Sequence, residues 1–191
     1  MEKLKFPIKT ERLILRPLQL SDLDDFYTYY SREDVSRYLY SNPMNKEEVE
    51  TALRKKTNKI DLREKGDRLA LAVVLTDENK VIGDISLMFN TPEHQGAEIG
   101  YIFNPQYQGH GYAGEAAKIL LKIGFEYYHF HRIIARCDAR NIASYKVMER
   151  LGMRREAHLI ENEFVKGEWT DELVYAILQK EWKNRKPASP K

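Results

Sequence analysis

The sequence predicts one α/β domain in which helices flank a mixed sheet. Alternating or fully apolar runs joined by short polar turns imply antiparallel strands. One strand–helix–strand stretch is long enough for a parallel, right-handed crossover. A chain of 191 residues, 42% hydrophobic and 31% charged, has the size and make-up of a single globular domain.

The elements follow in chain order. Thr10 to Arg16 alternates about Leu13 and Leu15 and reads as a first strand. Ser21, with Asp24 three residues later, opens a helix. Its Leu23, Phe26, Tyr27 and Tyr30 share one face, which makes Tyr27 and Tyr30 core residues. Asn45 and Glu48 repeat the start signal for a second, more polar helix ending near Gly66, whose charged run is a solvated face. Leu69 to Leu75 is apolar on both faces, as in a central strand, and a turn at Asp77-Glu78-Asn79-Lys80 sends the chain back through Val81 to Phe89. Ala97 to Phe103 is the next strand, stopped by Asn104-Pro105. A long helix then carries Ala113, Ala116, Ala117, Leu120, Leu121, Gly124, Phe125 and Tyr128 on one face. Arg132 to Asp138 is a strand, and Asn141 begins a short helix ending at Gly152. Two strands, roughly 155–164 and 171–179, flank a turn containing Gly167. The domain spans residues 1–182, and the charged tail 183–191 is expected to fray.

Composition removes several function classes. A net charge of +2 gives no concentrated basic excess for nucleic acid. The longest apolar run, Leu69 to Leu75, is far short of the ~18–20 residues that span a bilayer, so no membrane partner is expected. The N-terminus has no apolar segment of signal-peptide type, and a cytoplasmic protein is the expectation. Cys137, the only cysteine, forms no intrachain disulfide; it shares a face with Ile133 and Ala135 and reads as core. His129 and His131 have no third ligand nearby, so no metal is expected.

The informative segment is Tyr107-Gln108-Gly109-His110-Gly111-Tyr112-Ala113-Gly114, between a strand and a helix start. Glycines there let backbone N–H groups approach an anion, and the helix end adds unpaired donors and partial positive charge. The implied ligand is a phosphate or pyrophosphate. Gly109, Gly111 and Gly114 also spell G-x-G-x-x-G, with Asp138 at the distance of a ribose-binding acid, so a nicotinamide or flavin enzyme is one alternative. Against it, five residues separate the strand from the first glycine, and the preceding strands read as hairpins rather than βαβ units.

At these residues the chain resembles the GNAT N-acetyltransferase superfamily. Its loop pattern Gln/Arg-x-x-Gly-x-Gly/Ala is matched by Gln108-Gly109-His110-Gly111-Tyr112-Ala113. Ala97 to Pro105 resembles the family's fourth strand and its exit, and Asn141-Ile142-Ala143-Ser144 through Met153 its next helix. The opening Thr10-Glu11-Arg12-Leu13-Ile14-Leu15-Arg16-Pro17 and the closing Tyr175 to Trp182 resemble the RimJ/RimL-type branch, the ribosomal-protein N-terminal acetyltransferases. The resemblance implies a splayed parallel pair at the fourth and fifth strands, with acetyl-CoA as co-substrate. It assigns the pyrophosphate to the amides of Gly109 to Gly114, and the pantetheine to the edge carrying Tyr101, Ile102 and Phe103. His110 sits within the loop, and Asn141 is a further cofactor contact as well as a helix cap.

The implied reaction is direct attack of a neutral amine on the thioester in a ternary complex. The acceptor is a protein N-terminal amine or a small-molecule amine, used by a monomer or homodimer. The attack needs a proton acceptor and a donor for the leaving sulfur. Glu98, on the strand face shared with Gly100 and Ile102, is the candidate base; a salt-bridged strand glutamate is its alternative reading. Many family members place a tyrosine acid seven residues after the helix asparagine, where this chain has Met148. That departure keeps alive an acetyl-CoA-binding module without catalysis. Ser144 is the replacement donor, with helix-start capping as its alternative, and Tyr145 points about 100° away. In the family the first helical region helps wall the acceptor site, which makes Tyr29, Tyr38 and Tyr40 candidate pocket residues.

Overall fold

The computed structural model describes residues 4–57 and 61–185. Its strands are β1 (Ile8–Lys9), β2 (Leu13–Pro17), β3 (Arg68–Leu75), β4 (Lys80–Thr91), β5 (Gly96–Phe103), β6 (Arg132–Asp138), β7 (Arg154–Val165) and β8 (Glu168–Leu178). They form one sheet in the order β1-β2-β3-β4-β5-β6-β8-β7. Only β5 and β6 run parallel; every other neighbouring pair is antiparallel. The helices are α1 (Leu23–Tyr30), α2 (Glu33–Ser36), α3 (Lys46–Thr57), α4 (Tyr112–Lys122), α5 (Ile142–Arg150) and α6 (Gln179–Lys183).

The apolar run of β3 divides between two cores. Leu69, Leu71, Val73 and Leu75 pack with Leu120, Leu121 and Met148 under α4 and α5, whereas Ala70, Ala72 and Val74 pack with Phe26, Tyr29 and Leu53 under α1 and α3. A strand covered on both faces needs no polar alternation.

The ladder registers open the sheet at its centre. β5 stays paired to β4 as far as Phe103 opposite Gly83, and β6 stays paired to β8 as far as Asp138 opposite Glu172. Between β5 and β6, pairing covers only Gly96 to Glu98 against Arg132 to Ile134. Beyond Glu98 the two strands follow different neighbours and leave a gap. This is the expected splay; β1 precedes the first strand read from the sequence, so the family's fourth and fifth strands are β5 and β6 here.

Several boundaries differ from the sequence expectation. α1 begins at Leu23 rather than Ser21, because Leu20–Asp22 forms a 3₁₀ turn. Asp22 holds that turn by accepting from the Gln19 N–H at 2.9 Å and pairing with Arg16 at 2.7 Å. The buried face of α1 is then Phe26, Tyr29 and Tyr30, and Tyr27 is exposed. α3 starts as expected, with Asn45 and Glu48 capping each other at 2.8 and 2.9 Å, but ends at Thr57. Residues 58–60 of the longer helix expected there lie outside the described residues, and 61–67 form a turn in which Asp67 accepts from the N–H groups of Arg63 and Glu64. The long helix leaves α geometry at Lys122 and finishes in a π turn, Ile123–Tyr127. The start of the tail is held: Arg185 lies 5.1 Å from the Trp182 ring and donates to the Leu151 carbonyl, while residues 186–191 lie outside the described residues.

Candidate active site

The loop between β5 and α4 is held rigidly at both ends. Asn104 accepts from the Gln106 N–H at 3.1 Å and starts a 3₁₀ turn, Pro105–Tyr107. Tyr107 donates to Glu78 at 2.8 Å, fixing the loop to the β3–β4 turn. Gly109 and Gly111 adopt φ of 84° and 82°, the left-handed region where a side chain is strained. Arg12 braces the far side, donating to the His110 carbonyl at 3.0 Å, pairing with Glu115 at 2.6 Å and lying 4.7 Å from the Tyr112 ring.

The first hydrogen bond of α4 runs from the Glu115 N–H to Gly111, and among the described residues no side chain caps the helix start. The amides of Tyr112, Ala113 and Gly114 precede that bond, so they are the donors this helix end leaves for an anion. They open on a cavity of about 450 Å³. Gln108, Gly109, Gly111, Tyr112, Ala113 and Gly114 are among its lining residues, and so are Tyr101, Ile102, Phe103, Asn141 and Ser144. An added Cβ at Gly109 or Gly114 would meet nothing within 4 Å, so the loop side is open. His110 is the one expected loop residue outside this lining: its ring stacks on Tyr112, with Nδ1 2.9 Å from the Gln108 carbonyl.

A second cavity, of about 360 Å³, reaches the gap from the opposite sheet face. Glu98, Tyr38 and Tyr40 line it. Tyr29 does not: it is fully buried in the α1 core, its ring against Phe26 and Tyr30 and its hydroxyl donating to Asp84 at 3.3 Å. The two cavities share Tyr38, Leu39, Tyr101, Ile102, Asn141 and Ser144, residues gathered where β5 and β6 part.

Ser144 sits in the first turn of α5. Asn141 caps that turn, accepting from the Ser144 N–H at 3.1 Å, which leaves the serine hydroxyl free for another partner. That hydroxyl donates to the Tyr101 hydroxyl at 3.2 Å, and Tyr101 donates to the Ser144 carbonyl at 2.8 Å. Burial raises the Tyr101 pKa and outweighs the opposing hydrogen bond from Ser144, so the phenol stays protonated. Met148 is buried and belongs to the lining of the second cavity.

Residues 12–154 match the family model of the acetyltransferase (GNAT) domain. The chain belongs to the GNAT acetyltransferases. It is 41% identical over 175 residues to the uncharacterized N-acetyltransferase YnaD of Bacillus subtilis, covering 92% of this chain and 98% of that protein. The crystal structure of a GNAT-family acetyltransferase from Bacillus anthracis superposes with a TM-score of 0.83 at 37% identity, over 92% of this chain and all of the other. Spermidine N(1)-acetyltransferase of Vibrio cholerae is 26% identical over 176 residues, covering 91% of this chain and 97% of its own. The protein is thus an acetyl-CoA-dependent N-acetyltransferase with the GNAT fold. The sheet has one parallel pair, not the repeated βαβ units of a dinucleotide fold, and Asp138 lines the second cavity, 2.7 Å from Arg140.

This GNAT chain has charged site residues that the sequence reading missed. Glu98 is held by Arg136 at 3.1 Å and by the Asn90 amide at 2.7 Å. Arg136 also reaches Glu172 of β8 at 3.2 Å, and the Asn162 amide donates to the other oxygen of Glu172 at 3.1 Å. Burial raises the Glu172 pKa; Arg136 opposes the rise and Glu163 and Glu98 add to it. Cys137 is half-buried and lines the second cavity, rather than lying wholly in the core. Burial pushes its thiol up to about 11, which keeps it protonated near neutral pH. Among the described residues, no group of His, Cys, Asp and Glu is arranged to hold a metal ion.

Proposed function

We propose that this acetyltransferase binds acetyl-CoA in the cavity under the glycine loop and passes its acetyl group through the β5–β6 gap to a primary amine in the opposite cavity. The acceptor is a protein N-terminal amine, as in the RimJ/RimL-type branch, or a small-molecule amine, and the reaction takes place in the cytoplasm. The observation that carries this reading is the meeting of the two cavities at Ser144 and Tyr101.

The loop fits the co-substrate. Free amides at the start of α4 suit a pyrophosphate, and Tyr101 to Phe103, unpaired on their β6 side, suit the pantetheine amides. Bound there, acetyl-CoA supplies an activated thioester. The acceptor nitrogen attacks the thioester carbonyl carbon; the C–N bond forms, the C–S bond breaks, and the electron pair leaves on sulfur. The amine proton passes to Glu98 through water. An α-amine, with a pKa of about 7.7–8.0, needs only this weak base. Ser144 turns its hydroxyl from Tyr101 to the departing sulfur, gives its proton to the thiolate and regains one from solvent.

Thermal melting with acetyl-CoA, CoA and NAD(H), followed by free-thiol release with a panel of peptides and amines, tests the reading. Stabilisation by acetyl-CoA and amine-dependent thiol release are expected. Stabilisation by NAD(H) alone would overturn it.

A further inference from the structure

We propose that Arg136 is a built-in counter-cation that sets the acceptor class: amines carrying one positive charge, to the exclusion of polyamines. The inference rests on the reading of the second cavity as the acceptor site. Glu98 on β5 and Glu172 on β8 flank Arg136 on β6, and the guanidinium binds one oxygen of each, at 3.1 and 3.2 Å. Asn90 and Asn162 occupy the other oxygens, at 2.7 and 3.1 Å. Two carboxylates around one guanidinium leave a single net negative charge, which complements one ammonium. A polyamine would need the same carboxylates for its further charges, and Arg136 already stands between them.

The rest of the lining agrees. Asp84 is paired with Lys56 at 2.6 Å, Asp138 and Glu168 share Arg140 at 2.7 and 2.9 Å, and Glu163 accepts from the Tyr40 hydroxyl; over the whole lining seven carboxylates face six lysines and arginines, again one net negative charge. Arg37 and Arg68 line the same cavity; among the described residues Arg37 lies against the Tyr38 ring and Arg68 against the Met88 sulfur, neither against a carboxylate. These cations repel a polycation and tolerate an acceptor with one charge.

The test compares kcat/KM for phenethylamine, a peptide α-amine and spermidine in the wild type, Arg136→Gln and Arg136→Lys. The wild type should favour the single-charge amines. Arg136→Gln should move the ratio toward spermidine by about tenfold or more, mainly through KM, as expected of one uncompensated charge a few ångströms away. Arg136→Lys, which keeps the charge, should retain the wild-type preference. A ratio unchanged in Arg136→Gln would overturn the proposal. Spermine inhibition of the wild type needs no variant: failure to compete with phenethylamine supports the proposal, and competitive inhibition overturns it. If acetyl-CoA does not stabilise the wild type, the reading of the site fails first, and this inference with it.

Discussion

Ser144 and Tyr101 form the smallest unit of the account, one hydroxyl oriented by another at the meeting point of two cavities. Burial holds the phenol protonated, so in the proposed reaction the pair would act by hydrogen bonding. Ser144→Ala should therefore lower kcat by about 10–100-fold and leave the acetyl-CoA KM nearly unchanged, a split that initial-rate measurements read directly. Glu98→Gln removes the water-relayed base. The variant should lose activity near neutral pH and recover part of it as pH rises and the free amine becomes abundant, moving the optimum of its pH–rate profile upward. The serine and the glutamate could be proposed from the chain because a motif or an alternation points at them. Arg136 and Glu172 could not: the arginine's partners are 38 and 36 residues away and meet it only across strand pairings.

The loop and α4 act together as one element. Gly111 holds a left-handed φ at the helix start, so Gly111→Ala strains the backbone by about 1–2 kcal/mol and turns the free amides away. Acetyl-CoA affinity should fall more than stability does, as titration calorimetry and melting compared on one sample would show. Glu115 fastens the same helix to Arg12 and Thr10. Burial alone would raise its pKa, but hydrogen bonds from Thr10 and Arg12 prevail and hold it below the ordinary glutamate value. A lowered folded pKa contributes stability above the unfolded value, about 4.3, and loses it as pH falls through the folded one. Wild type should therefore melt above Glu115→Gln at pH 7, and the difference should vanish on acidification below that range. The glycines were legible because glycine adopts such φ values at the least cost, and the residue type carries that information. The rotation of α1 was not. Which face of α1 docks is set by tertiary contacts, the hydroxyls of Tyr29 and Tyr30 both reaching Asp84 of β4, and these leave Tyr29 in the core and Tyr27 out of it.

For the whole molecule, the decisive feature is a sheet whose central parallel pair is zipped at one end only. The strands and most of their order were readable from alternation and turn chemistry, whereas the gap depends on registers that no local pattern encodes. Ligand binding on one side of that gap should stabilise the whole fold: acetyl-CoA at ~100 times its dissociation constant should add about 2.7 kcal/mol, visible as a rise in melting temperature. The gap also decides the order of the chemistry. If amine and thioester meet directly across it, both must be bound before either product leaves. Cys137, in the second cavity, is the nucleophile through which a two-step route would run, but its thiol is held protonated. The most direct test is an initial-rate matrix in which acetyl-CoA and a primary amine are both varied. Intersecting double-reciprocal lines, unchanged in Cys137→Ala, are predicted. Parallel lines, with an acetylated enzyme isolated in the absence of amine, would contradict direct transfer.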